Sequence, residues 1–199
     1  MALQKKTVDV LDAHITSQNK GFIKNDEYAR NRIFKEEFIL DTVNWDKYYN
    51  DFDSTISSNN ISLNWNEFKY TDVIATPALL DRIITSSETG IYLFVVKSHG
   101  QIYEYSKFVF YVGISGENGS GRPLRDRLKD YFRLEQIKKR NAVLRILEKY
   151  INNVHIAFFL TNVNYTVLKQ IETSLIGYFY PLANKDDFPV ELQPIKKSF

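Results

Sequence analysis

The chain has 199 residues, 44% apolar and 15% aromatic, enough to bury a core without a disulfide or metal staple. It contains no cysteine, which excludes Cys-ligated zinc and a thiol nucleophile and points to a reducing cytoplasm. No apolar run approaches the roughly 18 residues that span a bilayer, so neither a membrane segment nor export is expected.

The net charge of +2 hides a segregation. Residues 1–89 carry 10 basic and 14 acidic side chains, whereas residues 122–149 carry ten basic against four acidic. Within that block, Arg122, Arg125, Lys129, Arg133, Lys138, Lys139 and Arg140 are interleaved with Tyr131 and Phe132. This is the footprint of a surface that neutralises phosphates, and those seven are the candidate DNA contacts. A solvated helical face would account for the same charges.

In chain order, residues 1–89 read as a mainly helical extension, with apolar positions at Val8, Leu11 and Ile15, then Tyr28, Ile33, Phe34 and Phe38. Asp53 to Asn60 reads as a polar loop, and Thr76-Pro77 as the cap and first turn of a helix. From Gly90 the pattern becomes β-rich. Ile91–Val96 and Phe108–Val112 read as a hairpin turning at Ser98–Gly100, and a glycine-containing loop (Gly116, Gly119, Gly121) leads to Pro123. Two helices follow, marked by Leu124, Leu128, Tyr131 and by Val143, Leu144, Leu147. Val154–Leu160 is a third strand, and Leu168, Ile171, Leu175, Ile176 and Phe179 stripe a last helix that Pro181 ends. The expectation is an α+β domain over residues 90–188, a three-stranded antiparallel sheet flanked by helices, followed by a tail over 189–199.

One residue of that stripe is out of place. Glu172 lies four residues after Leu168 and four before Ile176, on or beside the apolar face. A buried carboxylate costs several kcal/mol unless a positive partner balances it. The partner is either a basic side chain or a hard divalent cation.

Gly90-Ile91-Tyr92, Tyr111-Val112-Gly113, LRDRLKDYF and IETSLIGYFYPLAN occur in that order. The series resembles the catalytic module of the GIY-YIG nuclease family over about half the chain. The resemblance implies phosphodiester hydrolysis with one divalent cation, Mg²⁺, per active site. It assigns Tyr92, Tyr111, Arg127, Glu172 and Asn184 to the catalytic set, with Glu172 as metal ligand and Gly90 and Gly113 as motif glycines. Tyr131 belongs to the same set at a place that is often histidine. Two departures stand out: the interval between Tyr92 and Tyr111 is longer than in most members, and Ile114 replaces a lysine found in some.

On this resemblance Tyr92 is the general base, Tyr111 orients water or phosphate, and Arg127 donates to the phosphate oxygens. A chain of this size without zinc or repair modules most resembles stand-alone Type II restriction endonucleases. That role implies double-stranded DNA as partner, a homodimer for palindromic cleavage, and a cognate methyltransferase. Two other constellations carry less. Glu67-Phe68-Lys69, with Asp51 or Asp53 upstream, is a loose acid-x-lysine match that chance supplies, and His14, His99 and His155 are isolated.

Overall fold

A computed structural model of the chain describes residues 42–97, 107–184 and 188–192. The apolar positions between Val8 and Phe38 and the turn at Ser98–Gly100 lie outside them. The elements are α1 (Thr42–Ser58), β1 (Asn66–Lys69), α2 (Tyr70–Ala75), α3 (Leu79–Ile83), β2 (Thr89–Lys97), β3 (Lys107–Ile114), α4 (Leu124–Lys129), α5 (Leu134–Ile137), α6 (Asn141–Tyr150), β4 (Val154–Thr161) and α7 (Tyr165–Phe179).

The sheet has four antiparallel strands in the order β1-β4-β2-β3, not three. The extra strand is β1, which pairs with β4 from Asn66↔Phe158 to Lys69↔His155. At four residues with a single buried side chain, Phe68, it presents almost no alternation to read. The hydrogen-bonded sheet therefore draws on both sides of residue 90.

Both faces of the sheet are covered. Ile91, Leu93 and Val95 point towards α1 and α7, whereas Tyr92 and Phe94 point towards α2–α6. A central strand buried on both faces reads as a continuous apolar run, as β2 does. The β2–β3 ladder carries a bulge: Phe94 pairs with Tyr111 but Val95 with Val109. The extra residue, Phe110, lets Phe110 and Tyr111 both join the core on the Tyr92 face while Val109 returns to the other.

Asp53–Ser58 belongs to α1 rather than to a loop. Tyr48 and Ile56 of this helix join the core beneath α7, and burial there outweighs the weak helix propensity of the Ser and Thr residues. The helix stops with Asn60 in the left-handed region (φ 50°), where Asn60 N–H donates to Ser57 O and Ile61 N–H to Ile56 O, a Schellman arrangement. Close approach of α1 to α7 requires Gly177, because a Cβ there would meet the Tyr48 ring at 2.5 Å. α3 begins at Leu79, two residues later than the Thr76-Pro77 signal predicts. The last helix follows its pattern. Asn164 caps it by accepting from Val167 N–H at 3.0 Å, and it ends at a left-handed Tyr180 before Pro181.

Candidate active site

Three segments bring the motif side chains together. Tyr92 lies on central β2, paired with Gly113 of edge strand β3, and Tyr111 lies on β3 two residues before Gly113. Arg127 and Tyr131 come from α4 and the 3-10 turn that follows it. The start of α4 is fixed to the sheet because Leu124 N–H donates to Glu88 O at 2.9 Å, at the entry to β2. Pro123 supplies the preceding residue without a donor of its own.

The centre is the Tyr92 hydroxyl. It shares a hydrogen bond with the Tyr131 hydroxyl at 2.8 Å and accepts from Arg127 Nε at 3.2 Å. Both phenols are fully buried. The Tyr92 ring is 5.6 Å from that of Tyr131 and 6.1 Å from that of Tyr111, and Phe94 closes the cluster 4.8 Å from Tyr131. Gly113 faces this end of Tyr92. A Cβ there would lie 2.5 Å from both Cζ and Oη of Tyr92, so the glycine serves close approach rather than an unusual backbone angle. Gly90 is similar, because its Cβ would strike the Phe159 carbonyl and the Leu124 side chain.

Burial pushes the Tyr92 phenol well above its ordinary value, with the neighbouring Tyr111 adding to the rise and the charge and hydrogen bond of Arg127 opposing it. Tyr131 is raised likewise, first by burial and then by Tyr92. At neutral pH both are protonated and link Arg127 to the core as hydrogen-bonding phenols. The half-buried phenol is Tyr111.

Two braces hold Tyr131 from outside. Its carbonyl accepts from the Tyr70 hydroxyl at 2.6 Å, and the Arg140 guanidinium stacks 4.5 Å from its ring centroid. Asn184 serves β3. Its Oδ1 accepts from Val112 N–H at 2.9 Å and its Nδ2 donates to Val112 O at 2.8 Å, while Ala183 N–H donates to Phe110 O. The chain returning from α7 thus satisfies the free edge of β3 on either side of Tyr111.

Glu172 is buried on α7, with its side chain 7% exposed, and accepts from Lys169 Nζ at 2.7 Å. The helix that carries Glu172 packs against β3 and β2, the strands of Tyr111 and Tyr92, and also touches the 3-10 turn Glu117–Gly119. That turn supplies a carboxylate the sequence reading missed: Glu117 Oε1 sits 2.5 Å from Arg127 Nη2. No group of three or more His, Cys, Asp or Glu among the described residues could enclose a metal. Of the two partners that could balance the Glu172 carboxylate, the structure holds the basic one, Lys169, and a divalent cation would have to displace it.

The basic segment divides. Arg122 donates to both oxygens of Asp130 at 2.9 and 3.0 Å and to Asp126 O at 2.7 Å. Lys129 reaches Asp81 at 2.7 Å, and Arg125 approaches Asp81 and Asp126 at 3.5 and 3.7 Å. With Arg140 on Tyr131, four of the seven candidate DNA contacts are engaged within the protein, whereas Arg133, Lys138 and Lys139 are exposed. The acid-x-lysine alternative is also engaged elsewhere, because Glu67 pairs with Lys97 and with His155 Nδ1.

A groove of about 570 Å³ between α1 and α7 has Asp51, Thr55, Lys169 and Thr173 in its walls, and Tyr92, Tyr111 and Arg127 are not among them. None of the described helices is long and apolar enough to cross a membrane. No family model matches the chain, and neither a curated protein nor a solved structure does.

Proposed function

We propose that the protein is a GIY-YIG-type endonuclease that hydrolyses phosphodiester bonds of double-stranded DNA. The observation that carries this reading is the fully buried Tyr92 hydroxyl held between Tyr131 and Arg127, where the two motif strands meet across Gly113. A structural tyrosine needs one partner for its hydroxyl. Here the phenol also fixes a guanidinium whose far nitrogen, Nη2, meets an exposed loop carboxylate.

Hydrolysis adds water to phosphorus as the bond to the 3′ oxygen breaks, so negative charge on the phosphate must be stabilised and a proton must leave the water. Arg127 supplies the first. Its Nε is committed to Tyr92, which orients the fork and leaves Nη2 to face a phosphate oxygen. For the second, Tyr111 is the phenol on the accessible side, and Tyr92, held neutral, orients. This exchanges the roles that the resemblance gives the two tyrosines. Glu172 would hold the divalent cation with Lys169 displaced from it, and a bound Mg²⁺ supplies charge neutralisation and acidifies coordinated water. Asn184 contributes by holding the Tyr111 strand rather than by touching substrate.

Exposed Lys138, Lys139 and Arg133 extend a cationic surface from the site, as contact with a polyanionic backbone requires. Within this class the proposed role is Type II restriction, in the cytoplasm, with a homodimer for palindromic sites and a methyltransferase protecting host DNA. Digestion of a phage genome with Mg²⁺ tests it. Discrete, reproducible fragments are expected; a smear overturns the restriction role, and intact DNA overturns nuclease activity.

A further inference from the structure

We propose that Glu117 occupies, in the DNA-free protein, the position on Arg127 that a substrate phosphate takes, and so sets the affinity for the DNA backbone. This rests on the nuclease reading above. Two nitrogens of the planar Arg127 fork have partners in the structure. Nε is bound to Tyr92, the side chain is 13% exposed, and the outward nitrogen Nη2 meets Glu117 Oε1. A carboxylate on a guanidinium presents the same acceptor geometry as a phosphodiester oxygen pair. Nη2 carries two N–H groups, but two anions held on one nitrogen repel each other, so docking of a phosphate there favours the departure of Glu117.

The loop is suited to that exchange. Glu117 is 49% exposed, and no residue of its 3-10 turn is buried, so its departure uncovers no core. Arg127, by contrast, is fixed through Tyr92 and Tyr131 to the centre of the sheet. The guanidinium stays in place while its anionic partner changes.

An exposed ion pair is worth little, so removing the internal competitor tightens DNA binding by about two- to fivefold. Salt gives the second readout. In the wild type, the released Glu117 regains a counter-cation as a phosphate contact sheds one. Neutralising Glu117 therefore steepens the dependence of log K on log salt, by at most about 0.9.

The experiment uses a fluorescein-labelled duplex in EDTA, with anisotropy followed across a salt series, for the full chain and for Glu117→Gln and Glu117→Ala. Glu135→Gln, at an exposed acid in the same basic segment, measures the general effect of losing one negative charge. The expected result is tighter binding and a steeper slope for both Glu117 variants beyond the Glu135 control, with the gain absent in an Arg127→Ala background. A gain no larger than the control, or one that survives in Arg127→Ala, overturns the inference. So does weaker binding, which would make Glu117 a ligand of the substrate complex. Wild-type protein that neither binds the duplex in EDTA nor cuts it once Mg²⁺ is added overturns the nuclease reading itself.

Discussion

Asn184 offers the sharpest separation of structure from chemistry. Its amide makes two hydrogen bonds to one buried residue, accepting from Val112 N–H at 2.9 Å and donating to Val112 O at 2.8 Å, and it is 1% exposed. Substituting Asn184→Ala strands both backbone groups on the β3 edge. Each unsatisfied buried group costs about 1–3 kcal/mol, so the total is about 2–6 kcal/mol, a large part of a stability of about 5–15 kcal/mol. Water entering at an edge strand recovers some of this, placing the expected loss near 2–4 kcal/mol. For a chain of this length that is a fall in Tm of about 5–15 °C. Asn184→Asp should do no better, since an ionised carboxylate cannot donate to Val112 O. Thermal and urea unfolding of the three proteins, beside cleavage of plasmid DNA below the variants' melting point, decide the matter. A variant with wild-type stability and no cleavage would refute the clamp and return Asn184 to the chemistry.

Gly113→Ala should cost about 1–3 kcal/mol and most of the activity, because the new methyl meets the Tyr92 hydroxyl end at 2.5 Å and the Tyr111 ring at 3.0 Å. Wild-type melting and turnover would rule that crowding out. The Asp130 carboxyl is held below its ordinary value: burial opposes this, but the hydrogen bonds and charge of Arg122 outweigh it. Its stabilisation is present above the unfolded pKa of about 4 and is lost as pH falls through the lower folded value. Asp130→Asn should therefore cost about 1–2 kcal/mol at pH 7 and less at pH 3, measured by urea unfolding, and an equal loss at both pH values would contradict the pairing. Charge reversal at Lys138 and Lys139 should weaken duplex binding and flatten its salt dependence by up to about 0.9 per lost phosphate contact; unchanged anisotropy titrations would leave that surface merely solvated.

The legible parts of the fold were those with local periodicity. β2, β3, β4 and α7 each carry an apolar pattern that survives in the structure, and the pairing of β2 with β3 follows from their proximity in the chain. β1 escaped because four residues at a sheet edge hold no alternation, and the end of α1 escaped because its serines and threonines look like a turn until Ile56 is seen against α7. For the site, the resemblance grouped six residues, of which Tyr92, Tyr111, Arg127 and Tyr131 share one cluster of side chains, whereas Asn184 clamps Val112 and Glu172 pairs with Lys169. Lys169 was within reach of sequence reasoning, since a lysine three residues before a buried glutamate shares its helix face. Asp81 and Tyr70 were not. Asp81 neutralises Lys129 from 48 positions away, and Tyr70 braces Tyr131 from 61 positions away, contacts that only the folded chain creates.

Glu172 is where the account is most exposed. In single-turnover cleavage of duplex DNA with Mg²⁺, Glu172→Gln is predicted to lose cutting while keeping its melting temperature within a few degrees and its metal-free DNA affinity unchanged. Cleavage within a few-fold of the wild-type rate would contradict the assignment of this carboxylate, and with it the nuclease site built around Tyr92 and Arg127.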